Sequence, residues 1–170
     1  CNGACLTAVE LTGEGFVADV SVETLNLTTI GNWKTGSRIN LEKAMQASDR
    51  FGGHIVSGHV DGIGHVTHFA QVGESWELRI QAPVGMGKYL AYKGSITVNG
   101  VSLTVNKVLD SSAGCEFSIN LIPHTVENTA LGTLQTGSSV NLEIDLIARY
   151  VERMLNNDAS ANSAALAFSA

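Results

Sequence analysis

The sequence of 170 residues lacks an excess of positive charge. Lysine and arginine together number 10, whereas aspartate and glutamate number 16, so the formal net charge is −6. A protein binds nucleic acid or an anionic membrane through a basic face that releases counterions, and this composition provides no such face. The composition therefore argues against nucleic-acid and membrane partners and favours a small molecule or another protein.

Cysteine is also scarce, with three residues at positions 1, 5 and 115. An odd number without a Cys-x-x-Cys pair provides no disulfide framework. Cys1 and Cys5 share one face of an extended strand, but at ~3.3 Å per residue they would lie about 13 Å apart, too far for a disulfide bond. Because no basic-then-apolar signal sequence opens the chain either, the sequence predicts a cytoplasmic protein.

Long apolar runs and metal-ligand spacings are absent as well. No stretch approaches the roughly 18 apolar residues of a membrane-spanning helix. His54, His59, His65 and His68 lie close together in the sequence, but their spacings match no familiar zinc site. We therefore predict no metal, interpret most of these histidines as turn or surface residues, and keep only His59 as a functional candidate.

The sequence does contain an internal repeat. The phrase Asn-Gly-x-x-Leu-Thr-x occurs at 2–8 and again at 99–105, and a longer phrase ending in Asn-Leu-Glu occurs at 31–42 and 132–143. Seven of the twelve positions in the longer phrase are identical. Asn-Gly tolerates the positive φ angles of a tight hairpin turn, so each short phrase predicts a turn leading into a strand.

Alternation along these two strands places small polar side chains together. Ser102 and Thr104 share one face in the second copy, and Cys5 and Thr7 share one face in the first. From the residues alone, Ser102 and Thr104 could equally be solvent-facing, and Cys5 a small core residue.

The remaining pattern predicts an all-β protein with one helix. Short β-rich stretches separated by turn residues, without strand–helix alternation, are typical of a barrel or sandwich. After Asp145 the apolar residues recur at intervals of three and four, which predicts an amphipathic helix. Its apolar stripe comprises Ile147, Tyr150, Val151, Met154 and Leu155.

Together with Gly-Gly-His-Ile-Val-Ser-Gly-His-Val-Asp-Gly at 52–62, the repeated phrases closely resemble the riboflavin synthase family from residue 1 to about 155. The resemblance implies two similar six-stranded β-barrels in tandem, followed by a C-terminal helix that supports a homotrimer. The expected divisions are the incomplete first barrel at 1–46, the second barrel at 47–145, the trimerisation helix at 146–157 and a flexible tail at 158–170.

The family dismutates two molecules of 6,7-dimethyl-8-ribityllumazine into riboflavin and 5-amino-6-ribitylaminouracil. The resemblance therefore implies an enzyme with two matched pockets, in which the first barrel of one subunit faces the second barrel of its neighbour. It implies no metal or redox cofactor, since the acidic C7 methyl of the substrate supplies the carbanion.

The resemblance also transfers site residues position by position. The first-barrel pocket is expected at Cys5, Leu6, Thr7, Asp19, Val20, Ser21, Val22, Glu23 and Thr24. The second-barrel pocket is expected at His59, Val60, Asp61, Lys93, Ser102, Leu103, Thr104, Leu121, Ile122, Pro123, His124, Thr125 and Val126. His59, Ser102, Thr104 and Asp145 are candidates for proton handling and positioning, with Cys5 near the reacting carbons.

Two other functions compete with this hypothesis. Non-catalytic relatives bind lumazine or flavin as antenna proteins, but both copies here keep their small polar pair, which favours the enzyme. A flavin-dependent reductase barrel is disfavoured because no nicotinamide-binding βαβ half with a Gly-rich turn follows.

The two copies differ in what precedes their Asn-Gly phrase. The second copy has predicted strands over 53–98, whereas the first has only Cys1. Because a half-barrel would expose unpaired strand edges, we expect a natural N-terminal segment of about 40 residues that completes the first pocket. Without it, we expect an open Cys5 pocket and an inactive protein whose second barrel still binds ligand.

Overall fold

A computed structural model describes the backbone of residues 1–112 and 114–167 and the side chains as far as residue 156, residue 113 excepted. The described part contains a closed six-stranded barrel, a separate two-stranded sheet and a C-terminal helix. The predicted all-β fold with an incomplete first barrel and a terminal helix is confirmed.

The regular elements follow one another in the order of the repeat. The strands are β1 Ala8–Leu11, β2 Phe16–Ala18, β3 Gly62–Val72, β4 Ser75–Ala82, β5 Ser95–Val98, β6 Val101–Ser111, β7 Gly114–Leu121 and β8 Ser139–Ile144. The α-helices are α1 Val22–Leu27, α2 Pro123–Asn128 and α3 Leu146–Ala167, and single 3-10 turns occur at Thr29–Asn32, Gly87–Tyr89 and Ala130–Thr133.

The second copy closes into a barrel with the strand order β3-β4-β7-β6-β5-β8, and all neighbouring strands are antiparallel. The hairpin between β5 and β6 pairs Val98 with Val101 around the second Asn-Gly phrase. Asn99 and Gly100 have φ angles of 48° and 83°, as a two-residue hairpin turn with positive φ at both central positions requires.

The barrel interior is the hydrophobic core of the described chain. Alternate residues of β7 point inward, and Phe117 and Ile119 are each 1% exposed. Gly64 leaves room for this packing, because a Cβ atom there would lie 2.6 Å from Leu142 Cδ1 and 2.8 Å from Ile80 Cγ2. The closed sheet therefore fixes the positions of the strands that carry Ser102 and Glu143.

The described residues of the first copy form no comparable core. Strands β1 and β2 form an isolated pair, and Leu11 on β1 is 82% exposed. Helical turns that no sequence pattern predicted occur in both copies at an offset of 101 residues, α1 with α2 and Thr29–Asn32 with Ala130–Thr133. Ser21 begins α1 by accepting a hydrogen bond at its Oγ from Thr24 N at 3.1 Å.

Helix α3 begins where the changed apolar period predicted a helix. Asp145 Oδ1 accepts a hydrogen bond from Ile147 N at 2.9 Å and so caps the first turn. The helix continues to Ala167, so the expected end at 157 and the tail from 158 are wrong up to that point; residues 168–170 lie outside the described part. Alanine is the best helix former and supports this extension. None of the described helices is long and apolar enough to cross a membrane.

Candidate active site

The two Asn-Gly turns meet back to back. A Cβ atom on Gly3 would lie 2.7 Å from Gly100 N, and one on Gly100 would lie 2.8 Å from Gly3 N. Both turns therefore need glycine for close approach as well as for positive φ. The reciprocal contact indicates that an approximate two-fold axis relates the copies at this point.

Four asparagines of the repeated phrases complete this contact. Asn40 Nδ2 donates to Asn99 O, and Asn141 Nδ2 donates to Asn2 O, each at 2.8 Å. Each amide thus bonds the turn of the other copy. The asparagine of the Asn-Leu-Glu phrase is consequently an interface residue that fixes how the two copies dock.

The same two amides also hold the 3-10 turn of the opposite copy. Asn141 Oδ1 accepts from Thr29 N at 2.7 Å, and Asn40 Oδ1 accepts from Ala130 N at 2.6 Å. Because these turns follow α1 and α2, each copy positions the helical segment of the other.

A cavity of about 210 Å³ lies against the first copy. Its lining residues are Ala4, Cys5, Glu23, Thr24, Leu27, Thr28, Gly58, His59 and Val60. The structure therefore brings together the predicted residues Cys5, Glu23 and Thr24. It also places His59 and Val60 here, beside the first copy, and not in the second-barrel pocket where the resemblance led us to expect them.

The reason for this placement is the path of residues 53–60, which we call the crossing segment. Cys5 N donates to Gly58 O at 2.9 Å, which places the end of the crossing segment beside the first copy. Gly58 has φ +80°, and a Cβ atom there would lie 2.7 Å from Cys5 Cβ. Only glycine fits this approach, so His59 is delivered next to Cys5.

The start of the crossing segment contacts the second copy instead. His54 Nδ1 lies 2.7 Å from Ser102 Oγ, and His54 Nε2 lies 3.2 Å from Thr97 Oγ1. In neutral imidazole one ring nitrogen donates and the other accepts. A single tautomer of His54 can therefore donate to one of these hydroxyls and accept from the other. His54, interpreted above as a turn or surface residue, is the histidine that contacts Ser102.

A sequence signal for His54 existed in the preceding glycine pair. A Cβ atom on Gly53 would lie 2.3 Å from Ser102 Oγ, so this glycine marks a close approach of the crossing segment to the Ser102 side chain. A glycine pair before a histidine could have indicated such an approach, but its partner strand lies 48 residues away and is defined only by barrel closure.

Two predicted acidic residues anchor helix α3. Asp61 Oδ1 pairs with Arg149 Nη1 at 2.8 Å, and Asp61 Oδ2 accepts from Ile144 N at 2.9 Å. Asp145 makes the helix-capping bond described above. Their contacts are those of residues that orient α3 on the barrel, and the role of Asp145 in proton handling stays a prediction.

Lys93 adopts a left-handed backbone with φ 64°, and its N–H donates to Val105 O at 2.8 Å. Thr104 is exposed and pairs with Ser95 across the β5–β6 hairpin. Of the predicted residues not yet described, the exposed ones are Thr7, Asp19, Val22, Ile122, Pro123 and His124; Leu6, Val20, Leu103, Thr125 and Val126 are half-buried, and Leu121 is buried.

The thiols differ sharply in environment. Cys5 is exposed at its pocket, whereas Cys115 is buried in the barrel. Burial, followed by the neighbouring Asp110, raises the pKa of Cys115 to about 11. Within the described residues no group of three or more His, Cys, Asp or Glu side chains could hold a metal ion.

Residues 1–44 and 57–145 match the family model of the lumazine binding domain. A riboflavin synthase of Photobacterium phosphoreum is 49% identical over 154 residues, which span 91% of this chain and 69% of that protein. A riboflavin synthase of Mycobacterium tuberculosis is 46% identical over 162 residues, or 92% of this chain and 78% of that protein.

Solved structures with the same fold carry bound ligands. LumP complexed with 6,7-dimethyl-8-(1'-D-ribityl) lumazine is 27% identical, with a TM-score of 0.73 over 84% of this chain and 74% of LumP. LumP complexed with riboflavin is 26% identical, with a TM-score of 0.73 over 84% of this chain and 75% of LumP.

Proposed function

The chain belongs to the lumazine-binding family that includes the riboflavin synthases, and from this premise we propose that it is itself a riboflavin synthase. It takes a four-carbon unit from one molecule of 6,7-dimethyl-8-ribityllumazine and transfers it to a second, releasing riboflavin and 5-amino-6-ribitylaminouracil. The observation that carries this proposal is the pair of related polar sites, one at Cys5 and one at Ser102, on copies docked by reciprocal contacts.

The two sites offer different groups to the same ligand. Cys5 and His59 line the first-copy cavity, whereas the second-copy site presents Ser102 with its His54 contact. A histidine within hydrogen-bond reach of a hydroxyl suits proton transfer to and from a substrate carbon acid. We assign proton handling to the second-copy site and ligand positioning to the first.

Neither a metal nor a redox cofactor enters the proposed reaction, since the C7 methyl of the substrate is itself the acidic group. Incubation of the complete protein, including the N-terminal segment expected above, with the lumazine should therefore produce riboflavin, followed by its absorbance, without added metal or nucleotide. Complete loss of this activity after treatment with a chelator would contradict the cofactor-free reaction.

The alternative is a lumazine- or flavin-binding antenna protein without activity, and the fold similarity to LumP is the observation that favours it. Both copies keep their small polar residues, which favours the enzyme. Tight lumazine binding with no riboflavin formed would support the antenna protein.

We further propose that the protein is a cytoplasmic homotrimer assembled through α3. Arg149 pairs with Asp61, and Tyr89 Oη donates to Glu152 Oε2 at 3.2 Å, so the polar side of α3 faces its own barrel. The opposite side exposes Ile147 and Met154 by 67% and 68%. An exposed apolar helix face of this kind suits burial against neighbouring subunits.

Removal of α3 by truncation after Asp145 tests the trimer. The truncated protein should be a monomer or dimer by light scattering, with little activity because each active site lies between subunits. A truncated protein that remains trimeric would contradict this role of α3.

A further inference from the structure

Glu143 on β8 is a buried carboxylate that is not among the site residues described above. It is 3% exposed and points to the crossing segment. Oε1 accepts from Ser57 N at 2.8 Å and from Ser57 Oγ at 2.6 Å, while Oε2 accepts from Gly58 N at 3.0 Å. Three donors from two consecutive residues thus converge on one side chain.

The chain of contacts continues from this carboxylate into the first-copy cavity. Gly58, whose N–H bonds Glu143, accepts from Cys5 N through its own carbonyl at 2.9 Å. His59 follows directly and lines the same cavity. A residue of the second barrel therefore determines where Cys5 and His59 lie relative to each other.

Glu143 is also linked to the start of the crossing segment. It pairs in register with Thr97 on β5, and Thr97 Oγ1 lies 3.2 Å from His54 Nε2. Thr97 on β5 therefore contacts the start of the crossing segment, near Ser102. Glu143, its neighbour on β8, holds the end of the segment, near Cys5.

We propose that Glu143 is a positioning residue of the first-copy site, which acts through the Ser57–Gly58 backbone on Cys5 and His59. A carboxylate is required because it only accepts hydrogen bonds and has room for three donors. A glutamine of the same size would turn an N–H₂ group toward at least one of these donors. The proposal rests on the proposed function for the identity of the ligand, but not for the geometry of Cys5.

The test measures alkylation of Cys5 by iodoacetamide in the complete protein, which includes the expected N-terminal segment. Alkylation is quantified by peptide mass spectrometry, with and without 6,7-dimethyl-8-ribityllumazine. In Glu143→Gln we expect the lumazine concentration that half-protects Cys5 to rise about tenfold, which corresponds to about 1.4 kcal/mol. The alkylation rate of Cys5 without ligand should change as well. In turnover, KM should rise more than kcat falls.

The repeat supplies a matched control. Glu42 occupies the same place in the first Asn-Leu-Glu phrase but is exposed, so Glu42→Gln should leave the rate and the protection of Cys5 within twofold of the unmodified protein. A graded variant is Ser57→Ala, which removes one of the three donors and keeps both amide N–H contacts. We expect a two- to threefold rise in the half-protecting concentration.

The outcomes separate the two proposals. If Glu143→Gln and Ser57→Ala both match the unmodified protein in Cys5 alkylation and protection, the role of Glu143 is refuted. If Glu143→Gln does not fold by circular dichroism, Ser57→Ala and Glu143→Asp decide by the same measurements. If lumazine fails to protect Cys5 even in the unmodified protein, the proposed function is contradicted, while the ligand-free alkylation rates still decide the role of Glu143.

Discussion

The two Asn-Leu-Glu phrases have the same sequence but differ in how far their residues are buried. Leu142 in the second copy is 0% exposed, whereas its repeat partner Leu41 is 62% exposed. Leu142 lies on β8, between β3 and β5 of the closed barrel, while Leu41 belongs to no sheet. Burial in this protein therefore depends on which strands surround a phrase, and not on the phrase itself.

Local geometry, in contrast, is the same in both copies. Asn2 and Gly3 have φ angles of 45° and 81°, close to the 48° and 83° of Asn99 and Gly100. The α1 and α2 segments and the 3-10 turns after them also recur at one constant offset. Short-range chemistry thus forms the turns and caps in each copy, and the closed sheet adds the core only in the second.

The largest expected effect comes from removing the buried leucine of this pair. Leu142→Ala should lower the free energy of unfolding by about 2–5 kcal/mol, because it leaves a cavity in the barrel core. In the 170-residue chain, the matched change Leu41→Ala, at an exposed site, should stay within about 0.5 kcal/mol. Urea denaturation followed by tryptophan fluorescence measures both, and equal losses would refute the contrast between the copies.

A smaller effect is expected from the asparagines that join the copies. Asn141→Ala leaves the buried Thr29 N–H without its acceptor and should cost about 1–3 kcal/mol in the same denaturation experiment. Asn40→Ala breaks the equivalent bond to Ala130 N at a half-buried position and should cost less. A larger loss of stability in Asn40→Ala than in Asn141→Ala would contradict the expectation that the more deeply buried hydrogen bond contributes more.

The smallest effect concerns pH and the buried thiol. The pKa of Cys115 is raised from 9.0 to about 11, so the folded state retains a proton that the unfolded state releases. Its stabilisation is full below pH 9 and is lost as the pH rises through about 11, amounting to about 1 kcal/mol at pH 10. Cys115→Ala should abolish this alkaline component, and exposed Cys5 should be alkylated first at any pH.

The sequence predicted the elements that depend on residues close together in the chain. The Asn-Gly turns, the repeat, the barrel class and the start of α3 follow from local patterns and from the family resemblance. The structure also brings together Cys5, Glu23 and Thr24, which the resemblance assigned to one pocket.

The differences between expectation and structure concern contacts between distant residues. The resemblance placed His59 in the second-barrel pocket and the histidine spacing indicated a turn or surface role for His54, whereas His59 lies beside Cys5 and His54 contacts Ser102. The path of the crossing segment depends on the Cys5–Gly58 backbone bond, which joins residues 53 positions apart. No periodicity in the sequence reports such a bond. The full length of α3 was not predicted because the residues after 155 are mostly polar and do not continue the apolar stripe. The same segment contains no proline or glycine that would end a helix.

The measurement that tests the account most directly is a titration of Cys5→Ala and Ser102→Ala with a non-reacting lumazine analogue. The account predicts that each variant loses a different one of two sites, since Cys5 belongs to the first-copy cavity and Ser102 to the second-copy strand. Loss of the same site in both variants would contradict the existence of two pockets, one from each copy.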